Sequence, residues 1–218
     1  METQKFKLAD IFSGIIIPMI LVLLIYVLAV YVNPSGSHAV LGVSGLSGTV
    51  AVILTQGFAQ MIVLGIPLVL GLLWNKWAGG AAGFIMGGMY YVATAGLYTG
   101  YYAGSSPAYN FYGDLSMLFY LVNAIMIGYI AGSLTNGSTN FKRMLGAGLT
   151  ASLIVAVIQA YMNYYIALEP SRNMGQASWA ADPVNAFVIA FVPGIALGVI
   201  VPIIGKVMTW YGLQPARH

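Results

Sequence analysis

Residues 115–134 read LSMLFYLVNAIMIGYIAGSL, twenty consecutive positions without Asp, Glu, Lys or Arg. A helix needs about 20 apolar residues to cross the hydrocarbon layer of a bilayer, and this stretch supplies that length. The same texture repeats on either side of it. Toward the N-terminus lie residues 78–97, 49–74 and 11–32, and toward the C-terminus lie 144–166 and 184–208. These stretches predict an all-α fold: a polytopic membrane helical bundle of about six transmembrane helices, forming a single integral membrane domain over residues 1–218.

Composition points the same way. Only 6% of the 218 residues are charged and 60% are hydrophobic, against about 25% charged in an ordinary soluble domain. So few charges cannot solvate a water-facing exterior, so most of the surface must face lipid. Lys5 and Lys7 before the first apolar run resemble the start of a signal peptide. A secretory core, however, is only about 7–15 residues long and ends at a small-residue cleavage site, so the longer run over 11–32 reads as a retained first span. Residues 37–48, rich in Gly and Ser, are too polar at their start for a span. The clusters Asn33-Pro34-Ser35-Gly36 and Asn75-Lys76-Trp77 read as turns. Pro67, Pro193 and Pro202 lie within spans, where they favour bends.

Charge distribution sets the predicted orientation. With the N-terminus inside, the inner segments hold Lys5, Lys7, Lys76, Lys142, Arg143, Lys206 and Arg217, and the outer loops hold only Arg172. Short cytoplasmic loops are enriched in Lys and Arg, so a cell-membrane, multi-pass protein with both termini cytoplasmic is expected. Asp114, Glu169 and Asp182 then fall outside. No basic run points to nucleic acid; the lipid bilayer is the expected surroundings.

Small residues four apart let helices approach closely in lipid, where no hydrophobic force drives them together. Gly79, Gly83 and Gly87 form one such stripe; Gly128 with Gly132, Gly194 with Gly198, and Ala147 with Ala151 form others. Each stripe packs the bundle internally or docks another membrane subunit.

The polar groups that can do chemistry collect on the predicted outer side. Tyr91, Tyr109 and Asp114 lie in or near the loop after the third span. Gln159, Asn163 and Tyr164 lie at the outer end of the fifth, and Glu169 and Asn185 lie between the fifth and sixth spans or just inside the sixth. An aromatic belt at the headgroup level is the structural alternative, but the interleaved amides and carboxylates, and the tyrosine bias to one side, fit a small-molecule surface. Stacked rings with a few directional polar groups suit a flat, partly polar solute. Asn123 and Gln159 are amides inside spans, each bonding either a neighbouring helix or a substrate. Enzyme chemistry lacks its parts. Cysteine is absent, His38 and His218 are the only histidines and fall on opposite sides, and neither H-E-x-x-H nor a P-loop occurs. No catalytic residue, cofactor or metal is expected. No acid stands centrally in a span, so an ion relay lacks its usual groups. Asn136-Gly137-Ser138 matches a glycosylation acceptor but falls on the cytoplasmic side.

The segment Lys76-Trp77-Ala78-Gly79-Gly80-Ala81-Ala82-Gly83-Phe84, the polar outer loop after it, and Gly128-Tyr129-Ile130-Ala131-Gly132-Ser133-Leu134 closing the fourth span resemble the substrate-binding S components of energy-coupling factor (ECF) vitamin transporters. The final span, with Asn185 at its outer start and Pro193 and Pro202 within, is similar in style. The resemblance implies a subunit that binds a vitamin-like solute outside and transports only with a transmembrane coupling subunit and two ATPases. It also implies docking on that subunit through a small-residue face of the first helix, for which Ala9 and Ser13 are the nearest match. Without the histidine-led N-terminus of a nickel or cobalt member, an organic substrate is expected. The alternative is a structural or accessory subunit of a larger membrane complex, with no ligand of its own.

Overall fold

The computed structural model describes residues 20, 59–101, 111–113, 115–166 and 183–212. The expected first span, the 37–48 segment and the docking pair Ala9 and Ser13 lie outside the described residues, as do Tyr109, Asp114 and Glu169. Among the described residues the chain is all-helical: α1 (Ala59–Leu73), α2 (Lys76–Tyr101), α3 (Leu115–Thr135), α4 (Phe141–Tyr161) and α5 (Pro183–Trp210), with a 3-10 turn at Phe111–Gly113 and a π-helical turn at Met162–Ile166. Over Leu118–Thr135, Phe141–Ile166 and Phe191–Trp210 the helices are long and apolar enough to cross a membrane. Their outward faces carry Ile154, Val157, Val192, Ile195, Ile200, Ile203 and Ile204, all exposed. A water-soluble monomer does not display so large an apolar surface; these faces belong against lipid.

Local sequence sets the helix ends. α3 stops at Asn136 and Gly137, both left-handed at φ 46° and 74°. There the Asn136 N–H still reaches the Gly132 carbonyl and the Ser138 N–H reaches that of Thr135. The Asn-Gly pair of the glycosylation-like triplet is therefore a helix-terminating turn. α4 begins three residues earlier than the 144–166 stretch predicts, because the Asn140 side chain caps it by accepting the Lys142 N–H at 3.0 Å. α2 extends beyond 78–97 at both ends, and α5 runs unbroken through Pro193 and Pro202.

Glycine sets the spacing of the first three helices. A Cβ built on Gly83 would strike the Ala124 carbonyl, one on Gly79 would lie 2.6 Å from the Gly128 oxygen, and one on Gly87 would lie 2.9 Å from Leu121 Cα. A Cβ on Gly71 of α1 would strike the Gly128 carbonyl, and one on Gly132 would lie 2.5 Å from Lys76 Cα. α2 therefore runs antiparallel to α3 and in register with it, from Gly79 at one end to the Tyr90–Tyr120 ring contact toward the other. At 26 residues, or about 39 Å, α2 is long enough to lie along the whole of α3. In the second seam Gly194 faces Ala156, Gly198 faces Leu149 and Ser152, and Gly148 takes the Pro202 ring, whose Cγ lies 2.6 Å from an added Cβ. The stripes over 79–87, 128–132, 147–152 and 194–198 are thus spent inside the bundle.

α3 occupies the centre. It packs against α1 and α2 on one side and α4 on the other, while α5 lies along α4 and touches α1. Leu68, Leu72, Leu73, Ile127, Met144, Val155, Leu197 and Val201 form the main core, and Val63, Met86, Tyr90 and Ala124 form a second cluster between α1, α2 and α3.

Candidate functional site

The two ends of the bundle differ in charge. The described residues contain four charged side chains, Lys76, Lys142, Arg143 and Lys206, and all are basic. All four gather at the end holding the α3–α4 turn: the Arg143 Nε–H donates to the Leu134 carbonyl, Lys206 Nζ donates to the Thr139 carbonyl, and Lys76 packs beside Gly132. The opposite half of the bundle carries no charge among the described residues. Its polar atoms are therefore neutral groups in surroundings of low dielectric, where each hydrogen bond made or missed matters more than in water.

In that half α3 presents Tyr120 and, one turn further in, Asn123. Tyr120 faces α2, its ring centroid 5.4 Å from that of Tyr90 and tilted by 51°. Tyr90 is 4% exposed, and its backbone carbonyl accepts from Thr94 Oγ1 at 2.6 Å. Asn123, 1% exposed, turns to α4, where its Nδ2 donates to Gln159 Oε1 at 2.6 Å. The two intraspan amides thus join their helices, one of the two outcomes the sequence allows. The bond leaves Asn123 Oδ1 buried with no hydrogen-bond partner. Exchanging the amide's oxygen and nitrogen would only transfer the deficit to the nitrogen. An unpaired buried acceptor costs about 1–3 kcal/mol, and this is the one such side-chain atom among the described residues.

The other predicted site residues are dispersed around this amide pair. Tyr91, half-buried, stands on α2, and Gln159 stands on α4; α3 packs between these two helices, which make little direct contact. Tyr164 belongs to the π-helical turn that extends α4. It meets Tyr165 edge-on at 4.6 Å, and Tyr165 in turn lies 4.9 Å from Tyr161. Tyr161 and Tyr165 are 50% and 62% exposed, as rings of a headgroup-level belt are. Asn163 lies in the same turn and Asn185 at the start of α5, with their side chains outside the described set. The structure therefore unites Asn123 with Gln159 and Tyr120 with Tyr90, and sets Tyr91 on the far side of α3 from Tyr164. Sequence reasoning weighed Asn123 as a helix-bonding amide and overlooked Tyr120. Tyr120 and Asn123, three residues apart, face α2 and α4 respectively, so their spacing alone carries no signal that would have singled out Tyr120.

No group of His, Cys, Asp or Glu able to hold a metal ion occurs among the described residues. No family model, curated protein or solved structure matches the chain.

Proposed function

We propose that this protein is the membrane-embedded substrate-binding subunit of an uptake system for a small, vitamin-like organic solute, with six spans and both termini cytoplasmic. One observation carries the reading: Asn123 Oδ1, a buried acceptor without a partner beside the Asn123–Gln159 bond, in the uncharged half of the bundle. A lipid-facing protein without a ligand gains by filling such a position with an apolar side chain. A solute that donates one N–H or O–H there recovers the lost hydrogen bond.

In this mechanism Asn123 and Gln159 hold the inner edge of the solute, with Tyr164 above them. Tyr109, Asp114, Asn163, Glu169 and Asn185 supply ring stacking and orientation from the outer loops and helix ends, while Tyr91, across α3 on α2, takes no part. Release toward the cytoplasm requires a partner: a transmembrane coupling subunit driven by ATPases, docked through the first helix at Ala9 and Ser13. The accessory-subunit alternative drew on small-residue stripes as interfaces, and the stripes of α2–α5 pack against each other.

The test is a thermal-shift screen of the purified, ligand-free protein against vitamins and related heterocycles. The expected result is stabilisation by one chemical class, reduced in Asn123→Leu, with ATPase subunits recovered on pull-down from native membranes. Absence of stabilisation by every compound, together with a pull-down free of ATPases, removes the proposal.

A further inference from the structure

We infer that the α3–α4 turn and its four surrounding cations form a seat for the headgroups of anionic phospholipids. The contacts put the cations around one short segment, Asn136–Asn140. Arg143 is tied to Leu134 just before the turn, Lys206 reaches across from α5 to Thr139 within it, and Lys142 follows the Asn140 cap. Lys76 lies against Gly132, one turn of helix earlier. Arg143 and Lys206 are held by backbone carbonyls, which orient a cation without neutralising it. No carboxylate accompanies the four among the described residues. The amino end of α4 points into the same region and adds the positive end of its helix dipole.

The aromatic residues fix the depth of this cluster. Trp77, Trp210 and Tyr211 are 70%, 73% and 77% exposed, and indole and phenol rings favour the headgroup level of a bilayer. Lys76 Nζ lies 5.7 Å from the Trp77 ring and 5.8 Å from that of Tyr129, and the two rings meet edge-on at 5.6 Å. The cations therefore stand where phosphate groups stand, above exposed apolar faces that contact the acyl chains. A membrane bearing net negative charge attracts each juxtamembrane Lys or Arg by about fivefold in affinity. A seat that joins charge to the correct depth fits a phospholipid better than a soluble anion, which gains nothing from the adjoining rings and apolar faces.

Fluorescence quenching by brominated lipid reads this directly, because Trp74, Trp77 and Trp210 lie at the basic end. In the full-length Trp179→Phe variant, reconstituted in phosphatidylcholine, brominated phosphatidylglycerol should quench more strongly than brominated phosphatidylcholine. Lys142→Gln with Arg143→Gln should lower the preference by up to about 25-fold, Lys206→Gln alone should lower it about fivefold or less, and Lys142→Arg should keep it. Added inorganic phosphate should act no more strongly than chloride of equal ionic strength. Equal quenching by the two lipids, a preference unchanged by the double substitution, or specific competition by phosphate would each overturn the inference.

Discussion

Gly128→Ala tests whether backbone-to-backbone contact sets the spacing of α1, α2 and α3. A methyl on Gly128 would meet the Gly79 carbonyl, with its carbon at 2.5 Å, and the Pro67 oxygen at 2.8 Å. These are main-chain atoms on two different helices, so no rotamer change relieves them. Ordinary contact begins at 3.4 Å, so α3 must withdraw from α2 by about 0.9 Å. A gap of ~0.5–1 Å forfeits a quarter to a half of the dispersion attraction of the atoms along a seam, and overpacking by one methyl costs ~1–3 kcal/mol or more. For a chain of this size each kcal/mol moves the unfolding midpoint by roughly 2–4 °C, so a fall of roughly 2–12 °C is expected. Gly146→Ala is the control, since nothing lies within 4 Å of a Cβ there. On an open helix surface alanine should stabilise by about 0.5–1 kcal/mol relative to glycine. The assay is thermal unfolding of both variants in one detergent, followed by circular dichroism and tryptophan fluorescence. Equal midpoints for Gly128→Ala and Gly146→Ala would refute the reasoning, because they differ only in what the new methyl touches.

One further outcome follows from the Asn123–Gln159 contact and one from the proposed topology. Gln159→Leu strands both polar atoms of the Asn123 amide and should cost about 1–3 kcal/mol, whereas the double change Asn123→Leu with Gln159→Leu should recover most of that loss; a double variant less stable than the single one would show that the amide bond matters more than the stranded group. The chain contains no cysteine, so single Cys replacements of Tyr109 and Lys142 can be labelled without background. A membrane-impermeant maleimide applied to intact cells should modify position 109 and spare 142, and equal modification of both would end the six-span topology.

Much of the helical layout was legible because length and hydropathy are local properties. The 115–134 stretch and α3 differ by one residue at the C-terminal end, and the predicted 184–208 stretch and α5 by one or two at each end. The errors have physical causes. Lys142 and Arg143 read as loop residues, yet an exposed first turn at the membrane surface accommodates both, so α4 starts at Phe141. Residues 98–101 read as loop because Gly and Tyr lower the local hydropathy, yet α2 continues through them. The site was less legible. That Asn123 and Gln159 are uncomfortable in lipid is visible from residue type, but that they meet depends on how far α4 is displaced along α3, which is set by packing along whole helices. Tyr90 and Tyr91, adjacent in sequence, differ in burial because only the first enters the cluster with Val63, Met86 and Ala124.

The α4–α5 seam has a further consequence. Pro202 lacks the N–H that would bond the carbonyl of Gly198, four residues earlier. That oxygen lies 3.1 Å from where a Cβ on Gly148 would stand, so an α-hydrogen of Gly148 is directed at it, the arrangement of a weak C–H···O bond between helices. Proline on one helix thus frees an acceptor that glycine on the other engages, with the pyrrolidine ring filling the hollow alongside. Sliding either helix by one residue would break this lock, so α4 and α5 are built to travel as one rigid pair. Any rearrangement of the pair would then fall on the faces it presents to α3 and α1, the first of them held among its polar side chains by the Asn123–Gln159 bond.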